Sequence, residues 1–326
     1  MLDFRAQAQA FESFLSQLTQ TSMFNSGPKN LYAPCTYMLS IGGKRIRPAV
    51  CLMAHELFAG DKLQDALWAA TAVELFHNFT LIHDDIMDAA TLRRGKETVY
   101  KHFGTTAAIL SGDVMDIYAY RCLENVSEHR VLPLLKLFNQ TAIEVCEGQQ
   151  MDMDFETLSN VQREEYIEMI KLKTAVLLAA SMKMGAICAG AAVQDAQAIY
   201  DFGLNLGIAF QLQDDYLDSF GTEAELGKLI GGDIRANKKT ILAITARERA
   251  SDAEKARLAA LIEYEGEDKV AQTIELFKST AADEICRNEI AHYTRQAIAQ
   301  LQVINVPEER KQAFSDLLHY LMHRNS

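Results

Sequence analysis

Only 5 prolines and 17 glycines punctuate this chain of 326 residues. Turns draw on those two residue types, and sandwiches, barrels and doubly wound sheets need a turn every ten residues or so. So few of them argue for long helices joined by few loops. The apolar pattern agrees. Segments near 63–90, 105–124, 130–154, 161–191, 194–219, 237–262, 267–277, 281–302 and 308–323 repeat with helical period, and no stretch sustains a period of two. The expected fold is therefore all-α. No low-complexity run or Pro/Ser-rich linker divides the chain, so a single domain over residues 1–326 is expected. With 49% hydrophobic and 23% charged residues, the chain has enough apolar surface to offset the entropy of ordering.

The punctuation that does exist is local. Thr21–Asn30 reads as a loop between the first two helices. Gly42 and Gly43 break the chain before Lys44, Arg45 and Arg47, and Pro48 suits the first turn of the helix that follows. Leu92-Arg93-Arg94-Gly95-Lys96 forms a basic turn, and the stretch from Phe220 to Asn237 holds four glycines. A net charge of −12 disfavours a nucleic-acid partner, whose binding rests on neutralised phosphates. The six cysteines form no CxxC pair and read as buried, reduced thiols. The N-terminus lacks the basic-then-apolar order of a signal peptide, and a cytoplasmic protein is expected. Thr174–Val193 resembles a membrane span in length, but Lys183 interrupts it and it is rich in Ala, Gly, Ser and Met. It reads as a buried, closely packed helix, and no transmembrane segment is expected.

The chemistry concentrates in Asp84-Asp85-Ile86-Met87-Asp88. On a helix Asp84 and Asp88 lie one turn apart on one face, where like charges repel. The apolar residues before them, Phe79, Leu81 and Ile82, place the acids at the end of a core helix rather than on a solvated face. Oxygen ligands so arranged suit Mg²⁺, which keeps several waters and shares its shell with substrate phosphates. The same spelling returns 130 residues later as Asp214-Asp215-Tyr216-Leu217-Asp218, again closing an apolar helix. Six carboxylates around one cavity mouth become tolerable only with several divalent ions and an anion that shares them. Basic partners for that anion are Lys44, Arg45 and Arg47 beside a helix N-terminus, Arg93 and Arg94, Lys173-Thr174, Lys228 and Lys238-Lys239.

The set GGKRIRP, HNFTLIHDDIMDAATLRRG, GQQMDMDFE, KTA, FQLQDDYLD and GKLIGGDIRANKKT resembles the trans-isoprenyl diphosphate synthases, or polyprenyl synthetases, in their motif order. The resemblance implies a bundle of about ten core helices around a central cavity, usually in a homodimer. It implies three Mg²⁺ per active site. Asp84 and Asp88 would hold two of them, with Asp85 supporting, and Asp214 the third, with Asp215 and Asp218 in its outer shell. Arg93, Lys173, Thr174, Gln211, Lys228 and Lys238 would contact an allylic diphosphate. Lys44, Arg47, His77 and Arg94 would bind isopentenyl diphosphate. Within this pattern Asp84, Asp85, Asp88, Arg93, Lys173, Asp214 and Lys228 carry the catalytic role. Thr222 departs from the family's usual Asp, and Lys239 competes with Lys238 for the second lysine.

Other readings leave more unexplained. Glu74-x-x-His77 and Glu289-x-x-His292 have the spacing of di-iron bundles, which would not use the Asp clusters or the basic loops. His83-Asp84 is the dipeptide of metal phosphohydrolases, without their further histidines. Terpene cyclases lack the second DDxxD, and the non-catalytic subunits of heteromeric synthases degrade one cluster. For product length, the chain would grow along the helix toward its N-terminus. The small Thr80 and the bulky Phe79 and Phe76 would then form its floor, as in geranylgeranyl synthases, with farnesyl diphosphate the close alternative.

Overall fold

The computed structural model describes residues 4–222 and 230–322. Among these the chain is helical almost throughout: α1 (Phe4–Thr21), α2 (Lys29–Ser40), α3 (Ile46–Leu57), α4 (Leu63–Met87), α5 (Val99–Phe103), α6 (Thr105–Leu123), α7 (Glu128–Thr157), α8 (Arg163–Ile170), α9 (Val176–Ala189), α10 (Val193–Phe220), α11 (Gly232–Arg235), α12 (Ile241–Arg249), α13 (Asp252–Ile262), α14 (Lys269–Ser279), α15 (Ala282–Val303) and α16 (Glu308–Met322). The all-α expectation holds. Within the basic turn, β1 (Leu92–Arg93) and β2 (Lys96–Glu97) pair as a short antiparallel hairpin. The chain divides into two compact units. One comprises Met1–Asn139, Ala180–Ile199 and Asn305–Ala313, and the other Gln140–Ala179, Tyr200–Ile304 and Phe314–Ser326.

In the first unit α4 is the core helix. Every residue from Ala69 to Phe76 is buried, so this stretch has no polar face, as befits a helix enclosed on all sides. It packs against α3 and α6, while Phe11, Leu15 and Leu18 of α1 lie buried over α3. A Cβ added to Gly185 of α9 would lie 1.9 Å from the carbonyl oxygen of Cys51, so glycine is required where that backbone meets α3. The start of α4 is tied to α7 by Asp65, which accepts from Arg130 at 2.8 Å and from the Ser127 amide at 3.2 Å. The break before α3 falls where the glycines predict it. Gly42 has φ 79° and Arg45 φ 50°, and Pro48 sits in the first turn.

The second unit is built on α10, whose Phe202, Leu206 and Leu212 are fully buried. The Phe202 ring meets Phe314 edge-on at 5.6 Å, and the Cys286 thiol donates to the Leu212 carbonyl at 3.7 Å. Two features depart from the sequence expectation. The run over 161–191 is not one α-helix, because Lys171–Ala175 winds as a π-helical turn between α8 and α9. The run over 237–262 breaks at Ala250–Ser251. There Ser251 Oγ accepts the Glu254 amide at 3.4 Å, and the Glu254 carboxylate accepts the Ser251 amide at 2.9 Å. This reciprocal cap starts a new helix and outweighs the continuous apolar pattern.

Among the described residues, Arg163–Ala189 is long and apolar enough to cross a membrane, but 67% of its apolar window is buried inside the protein. Five of the six free cysteines are buried as expected, and Cys146 is exposed.

Candidate active site

The first acidic cluster closes α4, where the helix leaves the core. Asp85 is buried, Asp84 half-buried and Asp88 exposed at the C-cap. The middle carboxylate is already engaged. Arg93 Nε lies 2.9 Å from both Asp85 oxygens and its Nη2 2.7 Å from Oδ1, while the same Nη2 is 3.5 Å from Asp84 Oδ2. Burial pushes the Asp85 carboxyl up, and Arg93 pulls it back. The hairpin aims Arg93 at this point. Its two turn residues, Arg94 (φ 52°) and Gly95 (φ 76°), are both left-handed, the geometry that twists tight two-residue hairpins correctly.

Beside this cluster the same unit gathers cations. Arg47 Nη1 lies 3.2 Å from His77 Nε2. The Arg94 guanidinium lies against Gly43, where an added Cβ would stand 2.6 Å from its Nη1. Lys44 is exposed on the same loop. Burial lowers the Arg47 guanidinium to about 10, with Arg94 adding repulsion. Burial, then Arg47, Arg94, Arg93 and Arg45, hold His77 well below its usual 6.5 and so neutral. Arg45 differs from its neighbours. It is paired with Glu12 at 2.7 Å and Glu74 at 2.5 Å. Neither Arg47 nor Arg94 forms an ion pair within the described residues, and Arg47 Nε is buried with no hydrogen-bond partner. That orphaned donor among unneutralised cations asks for an anion. Glu74 spends its carboxylate on Arg45 and Asn78, which removes it from any ExxH metal site.

In the second unit, Asp214 is half-buried while Asp215 and Asp218 are 4% and 1% exposed. Asp215 accepts from the Tyr166 hydroxyl and from Gln211 Nε2 at 3.2 Å, and burial raises its carboxyl to about 7. Asp218 Oδ2 accepts the Asp233 amide at 3.0 Å, and its carbonyl accepts the Gly231 amide at 2.6 Å. Thr174 Oγ1 donates to Gln211 Oε1 at 3.3 Å, and Lys173 Nζ lies 2.5 Å from Asp152. Lys173 and Thr174 stand in the π turn, a feature that often marks functional sites. Two glycines make room for it. An added Cβ on Gly148 would be 2.3 Å from the Lys173 amide nitrogen, and one on Gly207 2.7 Å from Ala175 Cα. Lys238 Nζ is 4.0 Å from Asp233 and exposed, whereas Lys239 is spent on the Phe155 and Glu156 carbonyls at the end of α7. Lys228 lies outside the described residues.

Sequence reasoning missed Tyr166 and Asp152, which hold Asp215 and Lys173. Gly148 and Gly207, each inside a long helix, were the available signal. Phe76 and Phe79 lie 5.6 Å apart, and Phe76 continues to Phe138 at 5.3 Å and on to Tyr120 at 5.1 Å from Phe138. This aromatic row adds two residues that the local motif does not contain. Thr80 turns its hydroxyl back to the His77 carbonyl at 2.8 Å.

The sequence matches the polyprenyl synthetase family over residues 28–279. The chain belongs to that family. It is a prenyltransferase. A short chain isoprenyl diphosphate synthase of Methanothermobacter thermautotrophicus is 37% identical over 92% of this chain and 93% of its own length. A geranylfarnesyl diphosphate synthase of Natronomonas pharaonis is 34% identical over 91% of each. A crystal structure of a geranylgeranyl pyrophosphate synthase superposes with TM-score 0.92 at 41% identity, covering 100% of both chains.

Among the described residues, no group of three or more His, Cys, Asp or Glu side chains is gathered to cage a metal. Asp84 and Asp88 offer hard oxygen donors one turn apart, while Asp85 is committed to Arg93.

Proposed function

We propose that the prenyltransferase condenses isopentenyl diphosphate head-to-tail with an allylic diphosphate, in a Mg²⁺-dependent reaction, to give a short-chain trans-prenyl diphosphate, geranylgeranyl diphosphate. The observation that carries this reading is the cation group Arg47, Arg94 and Lys44 beside Asp84 and Asp88. One anion-binding site is left unneutralised next to carboxylates placed for hard metal ions.

In this reading Lys44, Arg47, His77 and Arg94 hold isopentenyl diphosphate. Neutral His77 donates a hydrogen bond without adding repulsion among the arginines. Asp84 and Asp88, with Asp214, would hold Mg²⁺ on the allylic diphosphate, and the bound ions would supply Lewis-acid stabilisation of the leaving group. Arg93, Lys173, Thr174, Gln211, Lys228 and Lys238 spread the remaining charge. Both Arg93 and Lys173 are parked on carboxylates, Asp85 and Asp152, which keeps them positioned before substrate arrives. The allylic C–O bond ionises, the isopentenyl double bond attacks the cation, and the released diphosphate takes the proton. Apolar helix walls exclude water from the cation. Both compact units serve one domain in this reading. A homodimer is supported by Ile109, Leu110 and Ile117, exposed apolar residues on α6.

The test is incubation with Mg²⁺, isopentenyl diphosphate and each allylic starter, followed by chain-length analysis. A geranylgeranyl product that requires the metal is expected, and no condensation with any starter overturns the reading. The Natronomonas relative's name favours a longer product as the second reading. Phe79→Ala is expected to lengthen the product by removing one ring of the aromatic row, and an unchanged distribution would place the floor elsewhere.

A further inference from the structure

The second unit holds a pocket of about 380 Å³ between α12, α13 and α14, none of its walls formed by an aspartate of either cluster. Its size lies in the range of ligand sites, roughly 300–1,000 Å³. Ile234, Ala243, Ile244, Leu258, Leu261 and Phe277 give it apolar walls. Its charged lining is mostly cationic, Lys238, Lys239, Arg247 and Lys269 against one carboxylate, Asp233, with Ser159, Asn237, Thr240 and Thr273 as neutral polar neighbours.

Three of these cations have carbonyl or amide oxygens as partners rather than carboxylates. Lys239 donates to the Glu156 carbonyl at 3.1 Å, and Arg247 to the Val161 carbonyl at 3.2 Å and the Asn160 side chain. Lys269, only 5% exposed, donates to the Ile262 carbonyl at 3.2 Å. Lysine is almost never buried unless paired, and a carbonyl leaves its charge uncompensated. Lys269 is thus a buried cation beside an apolar cavity with a carbonyl for its partner, and Asp233, the single carboxylate of the wall, lies by Lys238 instead.

We infer that this pocket is a second binding site, taking a single-chain amphiphile with an anionic phosphate or carboxylate head: the tail against the α12–α14 walls, the head on Lys269 and its neighbours. The site touches the machinery of the proposed reaction at one point. Lys238 and Asp233 belong to its wall, and the Asp233 amide is held by Asp218 of the second acidic cluster. An anionic head draws Lys238 toward the pocket and loads the segment that Asp218 anchors. Occupancy therefore weakens the allylic diphosphate's hold by withdrawing Lys238, and leaves the isopentenyl diphosphate residues Lys44, Arg47, His77 and Arg94 untouched.

Decyl phosphate is the probe, with decanol and decylamine as controls, below their micelle concentrations. Calorimetry on the full chain is expected to show saturable binding of decyl phosphate. Lys269→Met should weaken it by about tenfold or more, the worth of one charge-assisted contact. Ala243→Trp, which fills the cavity, should abolish it, and decylamine should not bind. The probe should raise the KM for the allylic diphosphate more than that for isopentenyl diphosphate, and this effect should vanish in Ala243→Trp, while both variants keep wild-type activity without probe. A diazirine-tailed alkyl phosphate gives an answer independent of the variants: its crosslinks should fall at residues 158–159 or within residues 233–277. Crosslinks confined elsewhere, equal affinity in wild type and both variants, or decanol binding as tightly as decyl phosphate would overturn the site. None of these outcomes touches the prenyltransferase assay without probe, so the two readings fail separately.

Discussion

The two aspartate clusters share one spelling and meet opposite electrostatics at their middle residue. Asp85 is buried against a cation, Arg93. Asp215 is equally buried but faces neutral donors, Tyr166 and Gln211, and its carboxyl rises to about 7. A motif fixes which carboxylates share a helix face. The packed neighbours decide which of them remains a charge. In the first cluster the protein balances the middle carboxylate itself, with Arg93. In the second, burial favours the protonated middle carboxyl until positive charge arrives.

Removing the outer acids should break the comparison most severely. Asp84→Asn is expected to lower kcat about 10³-fold, in the range seen when one preorganised stabiliser of developing charge is lost. Asp214→Asn, on the cluster proposed to hold a single ion, should cost less, about 10²-fold. Steady-state kinetics across a Mg²⁺ titration measures both, and a milder Asp84 effect would reverse the ranking.

Next comes the middle pair. Arg93→Gln leaves a buried carboxylate without its cation and should cost about 3 kcal/mol of stability, the lower end for a broken buried pair because Arg93 is partly exposed. The Arg93→Gln/Asp85→Asn double variant should recover most of that loss in urea unfolding. No recovery would mean that the pair does not balance charge. Tyr166→Phe removes one neutral hydrogen bond from Asp215 and should cost only about 1 kcal/mol in the same measurement. A loss equal to that of Arg93→Gln would erase the distinction between the clusters.

The smallest effect concerns pH. His77 is held well below 6.5 in the folded chain, so the unfolded chain binds the extra proton first as pH falls. Stability is then lost as pH drops through the unfolded value, and is unaffected by this group well above it. His77→Gln should flatten the decline in unfolding free energy between about pH 7.5 and about pH 5.5. An unchanged slope would show that His77 does not resist protonation.

Much of this was legible in the sequence, for reasons that particular residues make plain. Proline scarcity and helical periodicity gave the all-α fold. Gly42, Gly43 and Pro48 marked the break that presents Lys44 and Arg47. The clusters were legible because helical spacing alone puts Asp84 over Asp88. What stayed hidden depends on tertiary contact. Nothing local distinguishes Arg45, neutralised by Glu12 and Glu74, from Arg47, which is not. Lys238 and Lys239 are likewise adjacent, and only the carbonyl ends of α7 separate their roles. The π turn at Lys173 packs against glycines 25 residues before it and 34 after it in sequence. The S-x-x-E spelling at Ser251 carries the cap, which breaks the helix although the apolar pattern runs on through it.

The central claim is that both clusters grip one diphosphate through divalent ions. The most direct measurement is a crystal structure with Mn²⁺ and a non-ionising allylic thiodiphosphate, with the metals located by anomalous scattering. The account predicts metal peaks on Asp84 and Asp88 and on Asp214, all bound to oxygens of a single diphosphate. Metal at one cluster alone, or each cluster holding ions that share no ligand, would contradict it.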